Sequence, residues 1–331
     1  MNNVKIGIIG TGHLGNLHTK LLKEVNDCEV VGIYDLDITR AQKVGNDHEV
    51  PVFDKLEKLL DKVDAVSIVA TTSSHYELAM EAFKNNKHVF VEKPITAEIF
   101  QAEELVKIAK ENNLKLQVGH IERFNPALIS LEKYNLEPKF IQTDRLAQFN
   151  PRGTDVAVIH DLMIHDIDII LSLVKSDVKD IQASGVAVVS DNIDIANARI
   201  EFENGAVANV TASRISQKKM RKMRMFQKDA YLSLDFTTGV TEVYRLVSPD
   251  DKSLEHFISF GEMGVGENRK AVIYEQPQHK DVNALKYELQ LFIDAIKNNT
   301  DPVVSGEDGL KALKVAELII SKIKESQKIE I

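Results

Sequence analysis

One cysteine, Cys28, stands in a chain of 331 residues. It has no partner for an internal disulfide and cannot build a cysteine-based zinc site, which fits a reducing compartment. No window approaches 18 uninterrupted apolar residues, because the longest apolar region, residues 156–174, is broken by His and Asp. The start, MNNVKIGIIGTG, runs straight into a strand, without a basic segment, a long apolar stretch or a cleavage site. The expectation is a soluble, cytoplasmic protein with no membrane partner. A basic excess is also missing: 41 Lys and Arg stand against 50 Asp and Glu, a net charge of −9, which argues against general nucleic-acid binding. There is no internal repeat and no low-complexity tract.

What is present reads as two domains, since the chain exceeds the size at which one core stops growing. Residues 1–120 alternate strands (5–9, 30–34, 65–70, 89–91, 116–118) with helices (14–24, 39–43, 53–60, 76–85, 97–112). That alternation predicts a doubly wound parallel sheet in an α/β domain. Residues 121–331 change pattern. After a long helix over 156–174 come strands at 181–189, 195–202, 206–212, 223–226, 231–235 and 240–246, with Asn204-Gly205 marking a hairpin. A mostly antiparallel sheet in an α+β domain is expected. Residues 247–280 read as a long loop with some extended structure. Two helices close the chain, one with Leu285, Leu289, Phe292, Ile293 and Ile296 at helical spacing, the other over about 309–324.

The chemistry begins at KIGIIGTGHLG, where Gly10, Gly12 and Gly15 follow a strand and open a helix. Twenty residues after Gly15 the next strand ends on Asp35, which completes a dinucleotide fingerprint in its proper context. Gly10 permits the tight turn, Gly12 lets the backbone approach a pyrophosphate, and Gly15 lets helix and strand pack closely. The helix N-terminus presents free N–H groups to the phosphates. Asp35 accepts hydrogen bonds from the adenine-side ribose and repels a 2′-phosphate, so NAD is expected rather than NADP. A second loop, 71–75, places Thr71, Thr72, Ser73 and Ser74 after a strand and His75 at a helix start. Its short side chains suit a loop lying against the cofactor, and capping by Ser73 or Ser74 accounts for those two equally well.

The stretch HVFVEKPI, residues 88–95, is a buried strand that ends in two charges. Lys93 lies beyond the strand's carboxyl end, where open α/β sheets gather ligands. Pro94 restricts Lys93 to extended conformations and makes the bond between them a candidate for the cis form. The segment 155–174 is apolar nearly all round, hence buried, yet Asp161, His165 and Asp168 recur at i, i+4 and i+7 as one polar stripe. Buried charges need partners or a task. With Lys93 and a nicotinamide site elsewhere in the chain, a stripe facing substrate is preferred to an internal Asp–His pair. A metal site is not expected: His160 and His165, five apart, diverge around the helix, and no other ligand cluster appears.

Oxidising a secondary alcohol with NAD requires a base for the hydroxyl proton. His165 has the ordinary pKa for that task, and a Lys93 cation stabilises the developing alkoxide. Asp161 orients the imidazole or binds a substrate hydroxyl. Lys93 can itself carry the proton, and the sequence does not choose between the two schemes.

These residues resemble the Gfo/Idh/MocA family of NAD(P)-dependent sugar and polyol dehydrogenases. The resemblance rests on GTGHLG at 10–15, ATTSSH at 70–75, EKP at 92–94 and the Asp161–His165 spacing, and it runs over nearly the whole chain. It implies a Rossmann domain, then a domain with a large open sheet used for oligomerisation as a homodimer or homotetramer. It implies that Lys93, Asp161 and His165 are the catalytic lysine and aspartate–histidine pair. It further implies cofactor contacts from Thr11, His13 and Leu14 beside the three glycines, and from Thr71, Thr72, His75, Glu92 and Lys93. His160 before Asp161 departs from the small or apolar residue usual there, and no role is assigned to it. GHIERFNPA (119–127) and IHDLMIHDID resemble members acting on nucleotide-linked amino sugars, the UDP-N-acetylglucosamine 3-dehydrogenases. Arg123 is then a substrate-binding cation, with Asn125 as companion, or else an arginine that pins the two domains together. The basic residues of QKKMRKMRMFQK (217–228) suit a UDP pyrophosphate, although a solvated or subunit-facing strand is the preferred reading. A free sugar or inositol is the alternative substrate. A non-catalytic NAD-sensing regulator is the alternative of another class, and it expects the lysine and the aspartate–histidine pair to be lost.

Overall fold

Runs rich in Val and Ile form the first sheet of the structure, a computed structural model that describes residues 3–150, 156–251, 254, 257–278 and 282–328. They are β1 (Val4–Ile9), β2 (Cys28–Tyr34), β3 (Ala65–Ile68), β4 (His88–Glu92) and β5 (Leu116–Gly119), all parallel in the order β2-β1-β3-β4-β5. Val89, Phe90 and Val91 are fully buried, as a sheet covered on both faces requires. The chain starts in the middle and winds outward both ways, so the topological switch falls between β1 and β3, where such sheets bind ligands.

The connecting helices are α1 (His13–Leu22), α2 (Ile38–His48), α3 (Leu56–Leu60), α4 (Thr72–Lys84) and α5 (Ile99–Glu111). Three differ from the sequence reading. The short helix expected over 39–43 runs on to His48, because Ala41 and Val44 bury an apolar face and packing overrides the breaker signals of Gly45 and Asn46. The helix expected from residue 53 begins at Leu56. The one expected from residue 76 begins at Thr72, which takes residues 72–75 out of the loop.

The second sheet has nine strands: β6 (Phe140–Leu146), β7 (Val178–Val186), β8 (Ile195–Phe202), β9 (Val207–Ser213), β10 (Met220–Gln227), β11 (Ala230–Asp235), β12 (Val240–Val247), β13 (Ile258–Met263) and β14 (Lys270–Glu275). Their order is β13-β14-β12-β11-β10-β6-β9-β8-β7. Every pairing is antiparallel except β6 with β9, so the sheet is mixed but mostly antiparallel. The β8–β9 hairpin turns at Asn204-Gly205, where Gly205 has φ of 79°. Strand β7 stops at Val186 rather than 189, because the N–H groups of Val188 and Val189 donate to the Asp194 carboxylate at 2.8 Å instead of to a ladder. Strands β13 and β14 occupy much of the stretch read as a loop.

Two short helices belong to this unit, α6 (Pro126–Ile129) and α7 (Ile164–Val174). Asn125 caps α6 by accepting from the Ala127 N–H at 3.1 Å. The chain closes with α8 (Ala284–Asn298) and α9 (Gly306–Lys328). Leu285, Leu289, Phe292 and Ile293 of α8 join Ile6, Ile8, Ile33 and Phe90 in the core of the first sheet, and Phe292 meets Phe90 edge-on. Burying each such side chain stabilises the fold by roughly 1.5–3 kcal/mol. By its contacts the chain divides into two compact units, Met1–Phe124 with Val282–Lys314, and Asn125–Asp281 with Val315–Ile331. Among the described residues no helix is long and apolar enough to cross a membrane.

Candidate active site

The glycine turn between β1 and α1 has the shape a dinucleotide phosphate needs. Gly10 adopts φ of +97°, and a Cβ there would come 2.6 Å from the Val69 carbonyl oxygen. A Cβ on Gly15 would meet the Gly10 carbonyl oxygen at 2.0 Å. Helix and strand therefore approach closely only without side chains at these positions. Gly12 differs: nothing lies within 4 Å of a Cβ built on it, so the backbone there faces open space. Gly12 is also the N-cap of α1 and supplies no capping side chain. The N–H groups of the first turn, from His13, Leu14 and Gly15, are thus presented at a helix N-terminus with its partial positive charge.

Asp35 stands beside this turn at the end of β2. Its Oδ2 accepts from the Thr11 N–H at 2.6 Å and the Thr11 hydroxyl at 2.8 Å, and its Oδ1 from the Asp37 N–H at 2.8 Å and from Arg40 Nη2 at 2.7 Å. Burial works to raise the pKa of this carboxyl, but Arg40, the Asp37 amide and Thr11 outweigh it and hold the value down to about 2. Arg40, on α2, was not singled out in the sequence; an Arg five residues after the acidic strand end was its only signal. Leu36 and Ile38 are exposed on either side of Asp37, an apolar surface that suits an adenine ring.

The second loop contributes less open chain than expected. Thr71 is the N-cap of α4, its hydroxyl 3.3 Å from that of Ser74, while Thr72, Ser73 and Ser74 form the first helical turn. The cap falls at neither Ser73 nor Ser74. His75 is buried, with Nδ1 2.9 Å from the Pro94 carbonyl oxygen and Nε2 3.2 Å from that of Ala70. The carboxyl edge of the sheet thus gathers the glycine turn, Asp35, the Thr71–Thr72 corner and His75.

Glu92, Lys93 and Pro94 leave β4 at the same edge, with a cis bond between Lys93 and Pro94. Glu92 faces Gly119 of β5, and its carboxylate contacts His18 at 3.2 Å. Lys93 is half-buried. Arg123, after β5, stands 3.6 Å from Asp308 within the same unit.

The remaining candidates lie in the other unit. The helix expected over 156–174 is assembled from a π turn, Ile159–Met163, followed by α7. Such wide turns recur at functional sites. Asp161 and His165 are half-buried, while Asp168 is 1% exposed and sits deeper in the fold. His160 has a partner, Glu317 of α9, at 2.7 Å, which gives it a place in the fold. Two residues the sequence reading passed over hold this helix: Asp166 receives Arg145 of β6 in a two-pronged pair, Nε to Oδ2 at 2.8 Å and Nη2 to Oδ1 at 2.9 Å, both side chains buried. Arg145 shares the inward register of β6 with Ile141 and Thr143, a placement that the sequence FIQTDRL does not announce. Asn125 donates to the Phe236 carbonyl at 3.0 Å besides capping α6. In the basic segment, Lys222 and Arg224 lie on the exposed face of β10, with Met223 and Met225 on the buried one.

A phosphate-ready glycine turn, an acidic residue closing the neighbouring strand and a lysine at the same edge of a doubly wound sheet define an NAD(P)-dependent oxidoreductase. The chain belongs to the Gfo/Idh/MocA oxidoreductase family: residues 4–120 match its NAD-binding Rossmann fold and residues 135–237 its C-terminal domain. It is 38% identical over 245 residues to a UDP-N-acetylglucosamine 3-dehydrogenase of Acidithiobacillus ferrooxidans, covering 74% of this chain and 78% of that protein. A solved structure of UDP-N-acetylglucosamine 3-dehydrogenase from Acidithiobacillus ferrooxidans superposes with a TM-score of 0.88 and 33% identity, over 98% of this chain and 99% of that one. A myo-inositol 2-dehydrogenase of Thermotoga maritima is 24% identical over 348 residues, 99% of this chain and 98% of that protein.

Proposed function

We propose that this protein oxidises one secondary hydroxyl of a UDP-linked amino sugar to a ketone, using NAD. Bound NAD supplies the hydride acceptor. Gly10 to Gly15 and the α1 N-terminus hold its pyrophosphate, Asp35 its adenine-side ribose, and Thr71, Thr72, Glu92 and Lys93 its nicotinamide half. The open space over Gly12, beside Asp35, carries the cofactor assignment, because nothing lies within 4 Å of a Cβ built there and bare backbone faces a ligand. Asp35 favours NAD by repelling a 2′-phosphate.

The proton is handled by the chain's own groups. Lys93 holds the substrate hydroxyl and stabilises the alkoxide charge as it develops, and His165 takes the proton with Asp161 orienting its ring. Residues 1–120 serve the cofactor; residues 121–331 serve the sugar and self-association in a cytoplasmic enzyme. Arg123, with Asn125 as companion, is the cation offered to a UDP pyrophosphate. The likeness to dehydrogenases acting on that sugar nucleotide supports the choice of substrate.

The test is NADH formation, followed by absorbance, across UDP-sugars and inositols. Turnover with UDP-N-acetylglucosamine and binding of UDP alone are expected. Turnover with an inositol but no UDP binding would replace the substrate assignment. A Lys93→Met variant should weaken NAD binding only modestly, since Gly10 to Gly15 and Asp35 hold the other half of the cofactor, and should lose about 10²–10⁴-fold in rate; unchanged turnover would remove Lys93 from the chemistry, and bound NAD with no turnover of any substrate by the parent would favour a sensor.

A further inference from the structure

The turn that carries Lys93 is gripped on both sides by buried histidines, neither of which takes part in the chemistry above. On the first side stands His18 of α1, fully buried. Its Nδ1 lies 2.9 Å from the Ser67 hydroxyl of β3 and its Nε2 3.2 Å from Glu92 Oε1, while its ring meets Phe90 edge-on. The Glu92 carboxylate lies over Gly119, where an added Cβ would come within 2.9 Å of it. Its second oxygen accepts from the Lys93 backbone N–H at 3.3 Å. One imidazole therefore ties the glycine-turn helix and β3 to the residue before Lys93, and through it to the lysine's own backbone.

On the second side, His75 reaches across to the carbonyl of Pro94, the residue after Lys93, and to that of Ala70. A carbonyl oxygen only accepts, and a neutral imidazole has one N–H. A neutral His75 thus bonds one of the two, and the protonated ring bonds both. Burial holds its pKa below the ordinary imidazole range, so the neutral form, with a single bond, prevails at neutral pH.

Buried ionisable pairs are poor devices for stability alone, since apolar residues of similar volume pack as well or better. One such pair on one flank and a buried histidine on the other, converging on three consecutive residues, call for another reason. Glu92 supplies it. Burial pushes its pKa up, but His18, with Lys93 and His75, outweighs burial and keeps the carboxyl below its usual range. The turn therefore carries a fixed anion next to its lysine, in surroundings where charge interactions are strong.

We propose that His18 and His75 are positioning residues for Lys93: His18 fixes the Glu92 anion and the backbone before the lysine, and His75 fixes the backbone after it. The proposal rests on the catalytic reading of Lys93. A displacement of about 1 Å at a reacting group can cost about a hundredfold in rate, and removing either grip frees one flank of the turn.

The experiment compares His18→Leu, His18→Gln, His75→Leu and His75→Asn with the parent, using UDP-N-acetylglucosamine and NAD. It reads kcat and KM between pH 6 and 10, NADH affinity by the fluorescence of the reduced nicotinamide, and thermal unfolding. Both Leu variants should lose about a hundredfold in kcat with NADH affinity and KM within about threefold. His75→Asn, which keeps a donor toward the Pro94 carbonyl, should recover most of the rate. His18→Gln, which keeps a donor toward Glu92, should likewise recover most of the rate. Folded variants with unchanged kcat and pH profile would reduce both histidines to core packing, and equal losses in NADH affinity and kcat would assign them to the cofactor.

Lys93→Met is run in parallel, so that unchanged turnover in it counts against the lysine's role and not against the grip. If the Leu variants do not fold, or the probe sugar is not turned over, nitrogen-15 spectra of the histidine rings decide. Exchanging Lys93 for Met should shift the signals of His18 and His75, because coupling between sites is reciprocal. Unmoved signals would overturn the proposal.

Discussion

Gly12 and Gly15 stand three residues apart and answer to different constraints. Gly15 has the Gly10 carbonyl oxygen 2.0 Å from where a Cβ would sit, whereas nothing lies within 4 Å of one on Gly12. Gly15→Ala should therefore cost about 1–3 kcal/mol of stability through overpacking, measured by urea unfolding. Gly12→Ala should fold as the parent does yet bind NAD about tenfold or more weakly, about 1.4 kcal/mol, measured by calorimetric titration. A Gly12→Ala protein with parental affinity would move the pyrophosphate away from this turn. Two carboxylates govern acid stability at the same scale. Asp35 and Asp194 are both held at about 2 from an ordinary 3.8; burial opposes this in each, and Arg40 for Asp35 and the Val189 and Val188 amides for Asp194 prevail. A carboxylate whose folded pKa is depressed adds stability above its unfolded pKa and loses it as pH falls toward the folded one. The urea midpoint should thus decline between pH about 4 and about 2, and Asp194→Asn should flatten that decline.

At the level of elements, a buried pair ties α7 to β6. Arg145→Met takes the guanidinium from the buried Asp166 carboxylate and should cost about 3–5 kcal/mol, whereas Arg145→Met with Asp166→Leu should return to near the parent, both read from denaturant unfolding. A single variant as stable as the parent would make the pair incidental. The same strand shows where pattern reading stops. Inward positions Ile141, Thr143 and Arg145 include two polar residues, so β6 lacks the apolar alternation that announces a half-buried strand. Strand β13 is exposed at every position, so it has no buried face to read. Val89 to Val91 and Leu285 to Ile293 were legible because burial on a sheet or helix face leaves a period in the sequence. The extension of α2 past Gly45 was not, since a buried Val44 outweighed the local preference.

Across the molecule, the exposed face of the nine-stranded sheet carries aromatic residues from strand to strand. Phe140, Phe226, Tyr231, Tyr244, Tyr274 and Phe260 follow one another with ring centroids 4.8–6.0 Å apart, and Phe260 is 61% exposed. Exposed apolar patches of this size are where protein surfaces meet when they do, and this face is the one on which the self-association proposed above is tested. Phe226→Asp with Phe260→Asp should lower the mass seen by sedimentation velocity without unfolding the protein; an unchanged mass would place self-association elsewhere. The basic residues Lys222 and Arg224 share this face, so their task is decided by what covers the sheet.

The sequence by itself determined the parallel sheet, the glycine turn with Asp35, and the position of Lys93 just beyond a buried strand, because each rests on local spacing or on a side-chain period. Only the tertiary structure decided the company these residues keep. His18 beside Glu92, His75 beneath Pro94, Arg40 on Asp35 and Arg145 against Asp166 are pairs set by how separate segments pack. Such pairing leaves no period in the chain, since hydrogen bonds between distant residues depend on where the backbone brings them and not on their spacing along it.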